Sequence, residues 1–314
     1  MSAASEARRS SDWLVHWLLL LTALVVSVVV ARRTPPRAPQ LAGVDPLAAV
    51  PVGPELLLSA NLAELAAVAG PELLQAGGAQ LLGLRELCGF EPLLGLRRVV
   101  LALPPRQPLQ SSPDFAFIAE TSLEGEAVLR CAEAVIGKRG GRPVRSQLGA
   151  FRSVRDQRKP AGEIAVRADG LLILSGGAYL RAVLDAAAGR SRGDAAARLR
   201  SETHQAIREQ LGPAQLSLTL LPGALLSLPE LRAAGLSLRL ERDIELRGFV
   251  GCASVTSCQG AKQLLQGTIA GLVQAPELAP LGSLVVSQQQ TRLEIRGRVP
   301  RQQLGPLLSR LLGP

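Results

Sequence analysis

Residues 13–31, WLVHWLLLLTALVVSVVVA, run for nineteen positions without a charge, a proline or a glycine. A helix of that length rises about 28 Å, close to the roughly 30 Å hydrocarbon core of a bilayer. A helix satisfies its own backbone hydrogen bonds, which lets it stand alone in lipid. Arg8 and Arg9 precede the run, Arg32 and Arg33 follow it, and Trp13 and Trp17 lie near one end, where indole rings favour the interface. The reading is a single transmembrane anchor at 13–31 behind a short polar tail at 1–12. The run is long for a signal peptide and has no breaker before Val29-Val30-Ala31, so the anchor is expected to be retained. Basic residues flank both ends, so they do not set orientation. The short tail and the cysteines favour a tail inside and a bulk outside the cytoplasm, on the inner membrane.

Residues 32–54 carry Pro35, Pro36, Pro39, Pro46, Pro51 and Pro54 and read as an extended, Pro-rich stalk. The folded part begins near residue 55 and divides into two halves, 55–212 and 213–314. Aromatic residues are only 3% of the chain, so the core must be built from Leu, Val, Ala and Ile. Both halves read strand, helix, two strands, helix, two strands, helix. The first adds a strand near Phe151 and a linking helix over 194–211. The fold class is therefore α+β, with two pseudo-repeats, each an antiparallel sheet covered on one face by helices. In the second half Leu236, Leu238 and Leu240 alternate with Ser237, Arg239 and Glu241, and Leu293 and Ile295 alternate with Arg292, Glu294 and Arg296. Period two of this kind predicts one buried and one wet face. Short helices are expected at 223–234 and from Pro300 onward, the last with Leu304, Leu307, Leu308, Leu311 and Leu312 on one side. Ser122 is the expected cap of the helix that follows it.

The chemistry-bearing residues are few. His16 lies in the apolar span and His204 in a polar helix, and neither has an evident partner, so a Ser-His-Asp or Cys-His arrangement has little to rest on. Tyr179, at a helix start, reads as packing at a helix–sheet boundary. No nucleotide-binding glycine motif, Cys-x-x-Cys or metal-ligating cluster occurs, and no catalytic residue, metal or cofactor is expected. Glu241 and Glu294 lie among arginines and read as cross-strand salt partners. The four cysteines, Cys88, Cys131, Cys252 and Cys258, allow three pairings or four small buried side chains. The short separation of Cys252 and Cys258 suits a local bridge, which would leave Cys88 and Cys131 to close a longer loop. One stretch departs from background. Lys138, Arg139, Arg142, Arg145, Arg152, Arg155, Arg158 and Lys159 face Asp156 as the only acid between them. On a membrane-facing surface such a cluster attracts anionic lipid or an anionic envelope polymer; as a mobile loop it does nothing specific. Aromatic interleaving is missing, so nucleic acid is not the expected partner.

The anchor and stalk, Leu87-Cys88-Gly89-Phe90-Glu91-Pro92-Leu93, Cys131 in its helix and the run GEIAVRADGLLILSGG together carry a resemblance. The chain resembles membrane-anchored α+β envelope proteins of GC-rich, myxobacterial-type bacteria, a group with no substrate, cofactor or catalytic residue to carry over. The resemblance implies the pairs Cys88 with Cys131 and Cys252 with Cys258. The expected function is a non-enzymatic binding or scaffold domain held at the cell envelope, its protein partner unknown. The alternative is a tethered enzyme working through carboxylates and arginines.

Overall fold

A computed structural model describes residues 43–69, 82–90, 95–105, 114–158, 162–177, 179–222 and 230–303. The apolar segment 13–31, residues 32–42 of the Pro-rich stretch, Lys159 and the helix expected after Pro300 lie outside the described residues, apart from a 3-10 turn at Arg301–Gln303.

The strands are β1 (Leu56–Asn61), β2 (Leu96–Leu103), β3 (Phe115–Thr121), β4 (Pro143–Leu148), β5 (Phe151–Asp156), β6 (Glu163–Arg167), β7 (Leu171–Gly176), β8 (Leu216–Leu220), β9 (Leu231–Leu240), β10 (Asp243–Cys252), β11 (Val285–Gln289) and β12 (Arg292–Pro300). Among the described residues six α-helices join them: α1 (Leu62–Ala69), α2 (Leu82–Cys88), α3 (Gly125–Lys138), α4 (Tyr179–Ala187), α5 (Ala195–Leu211) and α6 (Val255–Leu272). The twelve described strands form one sheet, in the order β11-β12-β10-β9-β8-β1-β2-β3-β7-β6-β5-β4. Every pairing is antiparallel.

Reading outward from the centre, β1-β2-β3-β7-β6 and β8-β9-β10-β12-β11 follow the same order. The halves meet where β1 pairs with β8, with Leu58 opposite Leu218 at the middle of that pairing. Beside it the Ser59 and Ser217 hydroxyls lie 2.8 Å apart and share a hydrogen bond. The expectation of two separate sheets is corrected by this junction. Each half has an inner strand with an unpaired edge, and joining the two edges satisfies both rows of backbone groups.

Helices lie on both faces, not one. Val99 and Val100, neighbours on β2, enter different cores. On one face Leu58, Val99, Ala119 and Val154 pack with Leu62 and Leu65 of α1 and Val128 and Leu129 of α3. On the other, Leu57, Val100, Ile118, Phe151 and Ile173 pack with Ala49, Tyr179 and Val183. The expected place of Tyr179 between helix and sheet agrees with this packing. Helix α5 sets Ile207 and Leu211 against Ala233 and Leu221.

Residues 43–54, expected as the end of the stalk, belong to the folded body. A short 3-10 helix at Pro46–Ala49 packs on the sheet, and Pro46, Pro51 and Pro54 are buried. Arg98 donates to the Val44 carbonyl at 2.7 Å, and the Gly53 N–H donates to Ser201 Oγ at 2.9 Å. Proline stiffness suits a stalk and an anchored strap equally, and burial decides between them. Residues 231–234, read as part of a helix, begin β9 instead. Ser122 does not cap α3, because Glu124 holds the cap position and the Ser122 hydroxyl donates to the Gly95 carbonyl at 3.2 Å. The Asp169-Gly170 turn between β6 and β7 forms as the dipeptide predicts, with Gly170 at φ 89°, a conformation that suits glycine.

Candidate functional site

Both disulfides are present. Cys88–Cys131 ties α2 to α3, and Cys252–Cys258 ties the end of β10 to the first turn of α6. No cysteine is left free.

The basic stretch is not a loop. Its middle is the hairpin β4–β5 at one edge of the sheet, preceded by the last turn of α3. That arrangement splits the cluster. Arg145 donates to Glu133 at 2.6 Å and to Glu126 at 2.6 Å, and Arg152 reaches Glu126 at 3.1 Å. These carboxylates come from α3, outside the basic run, so sequence spacing did not reveal them. Arg145 holds the Glu133 carboxyl below its ordinary range, chiefly through that hydrogen bond. Lys138, Arg139, Arg142, Arg155 and Arg158 are exposed and gather at one end of the hairpin, where α3 ends, β4 begins and β5 finishes. Asp156 braces this tip by accepting from the backbone N–H groups of Arg142 and Arg158, each at 2.9 Å. Arg158 also donates to the Gly140 carbonyl at 3.1 Å. Lys159 lies outside the described residues.

A second site lies in the other half. A cleft of about 440 Å³ opens on the face of β10 and β12 beside the end of α5. Glu245 takes Arg298 from across the ladder at 2.6 Å and Arg247 from its own strand at 3.5 Å. Glu294 takes Arg292 at 2.9 Å and Arg296 at 3.0 Å, both from its own strand. Glu241 likewise takes Arg239 from two residues away. The expected cross-strand role of Glu294 and Glu241 is thus corrected: β-strand residues two apart share a face, and the guanidinium folds along the strand. The cross-strand pair is Glu245 with Arg298, which holds the Glu245 carboxyl below its ordinary range. Arg292 also lies over the Phe249 ring, 5.2 Å from its centroid. Gln210 of α5 turns its amide to the same guanidinium, 2.7 Å from Nε when its oxygen is the acceptor.

The topology also has solved counterparts. In fold, the chain is similar to TP0453. Crystal form III of TP0453 aligns with 85% of this chain and 98% of its own at 14% identity, with a TM-score of 0.50. Crystal form I aligns with 87% and 99% at 14% identity, with a TM-score of 0.48. No protein-family model matches the chain, and no curated protein does. At that identity the likeness to TP0453 concerns the fold alone.

His204, which the sequence left without a partner, lies on the buried face of α5 at 2% exposure. Its Nε2 lies 3.0 Å from the Pro54 carbonyl and its Nδ1 lies 2.6 Å from Thr219 Oγ1. A carbonyl only accepts, so Nε2 carries the proton, and Nδ1 of the neutral ring accepts from the Thr219 hydroxyl. The role is structural. Burial, aided by Arg208 and Arg200, pushes its pKa below 6.5, against the opposing Pro54 hydrogen bond. The unfolded chain takes up the proton first, so this contribution to stability is complete above pH 6.5 and is lost as pH falls toward the folded-state value. The urea midpoint is expected to fall more steeply between about pH 7 and pH 5 in the native chain than in a His204→Gln variant. Identical slopes would assign the acid sensitivity to other groups.

Proposed function

We propose that this chain is a single-pass, membrane-anchored extracytoplasmic binding module, non-enzymatic, that meets an anionic lipid surface or envelope polymer through the tip formed by Lys138, Arg139, Arg142, Arg155 and Arg158. The observation that carries the compartment is the use of all four cysteines in two disulfides, a pattern of oxidising environments. The apolar segment 13–31 supports the tether. No described helix is long and apolar enough to cross a membrane, and the segment 13–31 is not among those described. The shared strand order supports reading the halves as two pseudo-repeats. Carboxylate-based catalysis is the weaker reading. Its best candidate, Glu245, is held ionised by Arg298, whereas a general acid needs a pKa near the working pH.

Two measurements on the full-length chain test this. It is expected to stay in the membrane fraction after an alkaline carbonate wash and to be digested by protease added to spheroplasts. Carried in nanodiscs of neutral lipid, it is expected to capture anionic but not neutral vesicles, less so as salt rises. Replacing Lys138, Arg139 and Arg142 with Gln is expected to weaken that capture, whereas Arg145→Gln is not. Recovery of the intact chain in the soluble fraction defeats the tether, and equal capture of both vesicle types defeats the basic tip.

A further inference from the structure

The two halves use the same strand positions differently. In the first half β3 and β7 present Ala116, Ile118, Leu171 and Ile173 to α4, and the face is sealed. In the second half β10 and β12 hold the corresponding places in the strand order. They present Arg247, Phe249, Arg292, Glu294, Arg296 and Arg298 on the same side of the sheet, around the cleft of about 440 Å³. A face built to receive a helix would bury apolar side chains, because an ionised group under an apolar helix loses its hydration without repayment. This face instead carries a surplus of cations.

Arg247 and Arg296 sit directly opposite each other across the β10–β12 ladder. Like charges in that relation repel. Each leans to a carboxylate on its own strand, Glu245 at 3.5 Å and Glu294 at 3.0 Å. Those carboxylates are already engaged by Arg298 at 2.6 Å and Arg292 at 2.9 Å. Four guanidinium groups therefore share two carboxylates. Each guanidinium has five N–H donors in a planar fork, so donors remain directed outward after this pairing. The Arg247 side chain is 50% exposed and that of Arg296 is 76% exposed, while Glu294 is only 16% exposed. The cations form the accessible surface and the carboxylates lie beneath them. Arg298 follows Arg296 at two residues, about 6.6 Å along the strand, so the donors are spread over more than one oxyanion's width.

We propose that this cleft binds a multivalent oxyanion, a ligand carrying two or more phosphate or carboxylate groups, with one group bridging Arg247 and Arg296 and a second reaching Arg298. The bridged group relieves the opposed charges, and bidentate geometry suits both anion types. The site is independent of the basic tip, which lies on the β4–β5 hairpin at the other end of the sheet.

Isothermal titration of the full-length chain in non-ionic detergent, at fixed ionic strength, tests it with inorganic pyrophosphate and with citrate as probes. Saturable binding of at least one probe is expected, and the stronger of the two names the anion type. Arg247→Gln and Arg296→Gln are each expected to weaken it about tenfold or more, the usual consequence of losing a charge-assisted hydrogen bond. Arg181→Gln, a change at an 85% exposed arginine on α4, is expected to leave it unchanged. Urea unfolding of each variant, unchanged in midpoint, shows that the losses are local. No saturable binding of either probe overturns the proposal, including the case in which residues 304–314 take this face for themselves. Equal losses in all three variants, or none in Arg247→Gln and Arg296→Gln, overturn it as well.

Discussion

Replacing Cys88 and Cys131 together by serine is expected to destabilise the protein by about 4 kcal/mol. The bridge spans 43 residues of sequence, and in the chain-entropy model the loss grows with the logarithm of the closed loop. The same treatment of Cys252 and Cys258, six residues apart, is expected to cost about 2 kcal/mol. The longer bridge also joins α2 to α3, and α2 is only seven residues long, too short to be stable by itself. Thermal unfolding of the full-length chain in non-ionic detergent is expected to drop on the order of 10 °C for the first pair and about half that for the second. Equal shifts for the two pairs would show that loop length does not govern the stabilisation here.

Leu58→Ala is expected to cost about 3–4 kcal/mol, within the usual range for emptying a buried leucine site. Leu58 is 1% exposed and lies opposite Leu101 on β2 and Leu218 on β8, so it packs where the two halves are stitched together. The effect is expected to reach both halves. Amide exchange in β2–β3 and in β9–β10 should accelerate by the same factor if the continuous sheet opens as one cooperative unit. Acceleration confined to one half would mean that the halves open separately and that the β1–β8 pairing contributes little.

Local pattern was readable wherever one element met one kind of surroundings. Residues 96–103 and 151–156 read as strands in the sequence and form β2 and β5, and the stretches 162–168 and 170–176, which read as strands about the Asp169-Gly170 turn, contain β6 and β7. Helix α5 was readable too, and Asp194 caps it by accepting from the Ala197 N–H at 2.7 Å. Errors arose where burial came from distant residues. Pro46, Pro51 and Pro54 look like a stalk until Arg98 and Ser201 are brought to them. Ser237 reads as the wet side of β9 and is 3% exposed. Strand β4 was hidden because its arginines suggest solvent, and its pairing partner and the α3 carboxylates are needed to explain them.

The candidate sites divide in the same way. The cysteines and the basic residues were visible as residue types at given spacings, though the spacings left three cysteine pairings open. The split of the basic cluster, the His204 contacts and the opposed Arg247 and Arg296 were not, because each depends on which strand or helix lies alongside. By itself the sequence determined the apolar span, the alternation of strands and helices, and the matching order of elements in the two halves, since these follow from an unbroken run of uncharged residues and from periodicities of two to four residues. Only the tertiary structure decided that one sheet joins the halves, with Ser59 bonded to Ser217 across 158 residues of chain, and that one arginine-bearing face opens beside the end of α5. Strand pairing is set by backbone groups that every residue carries alike, so the choice of partner is written in the packing of the whole chain and not in any one segment of it.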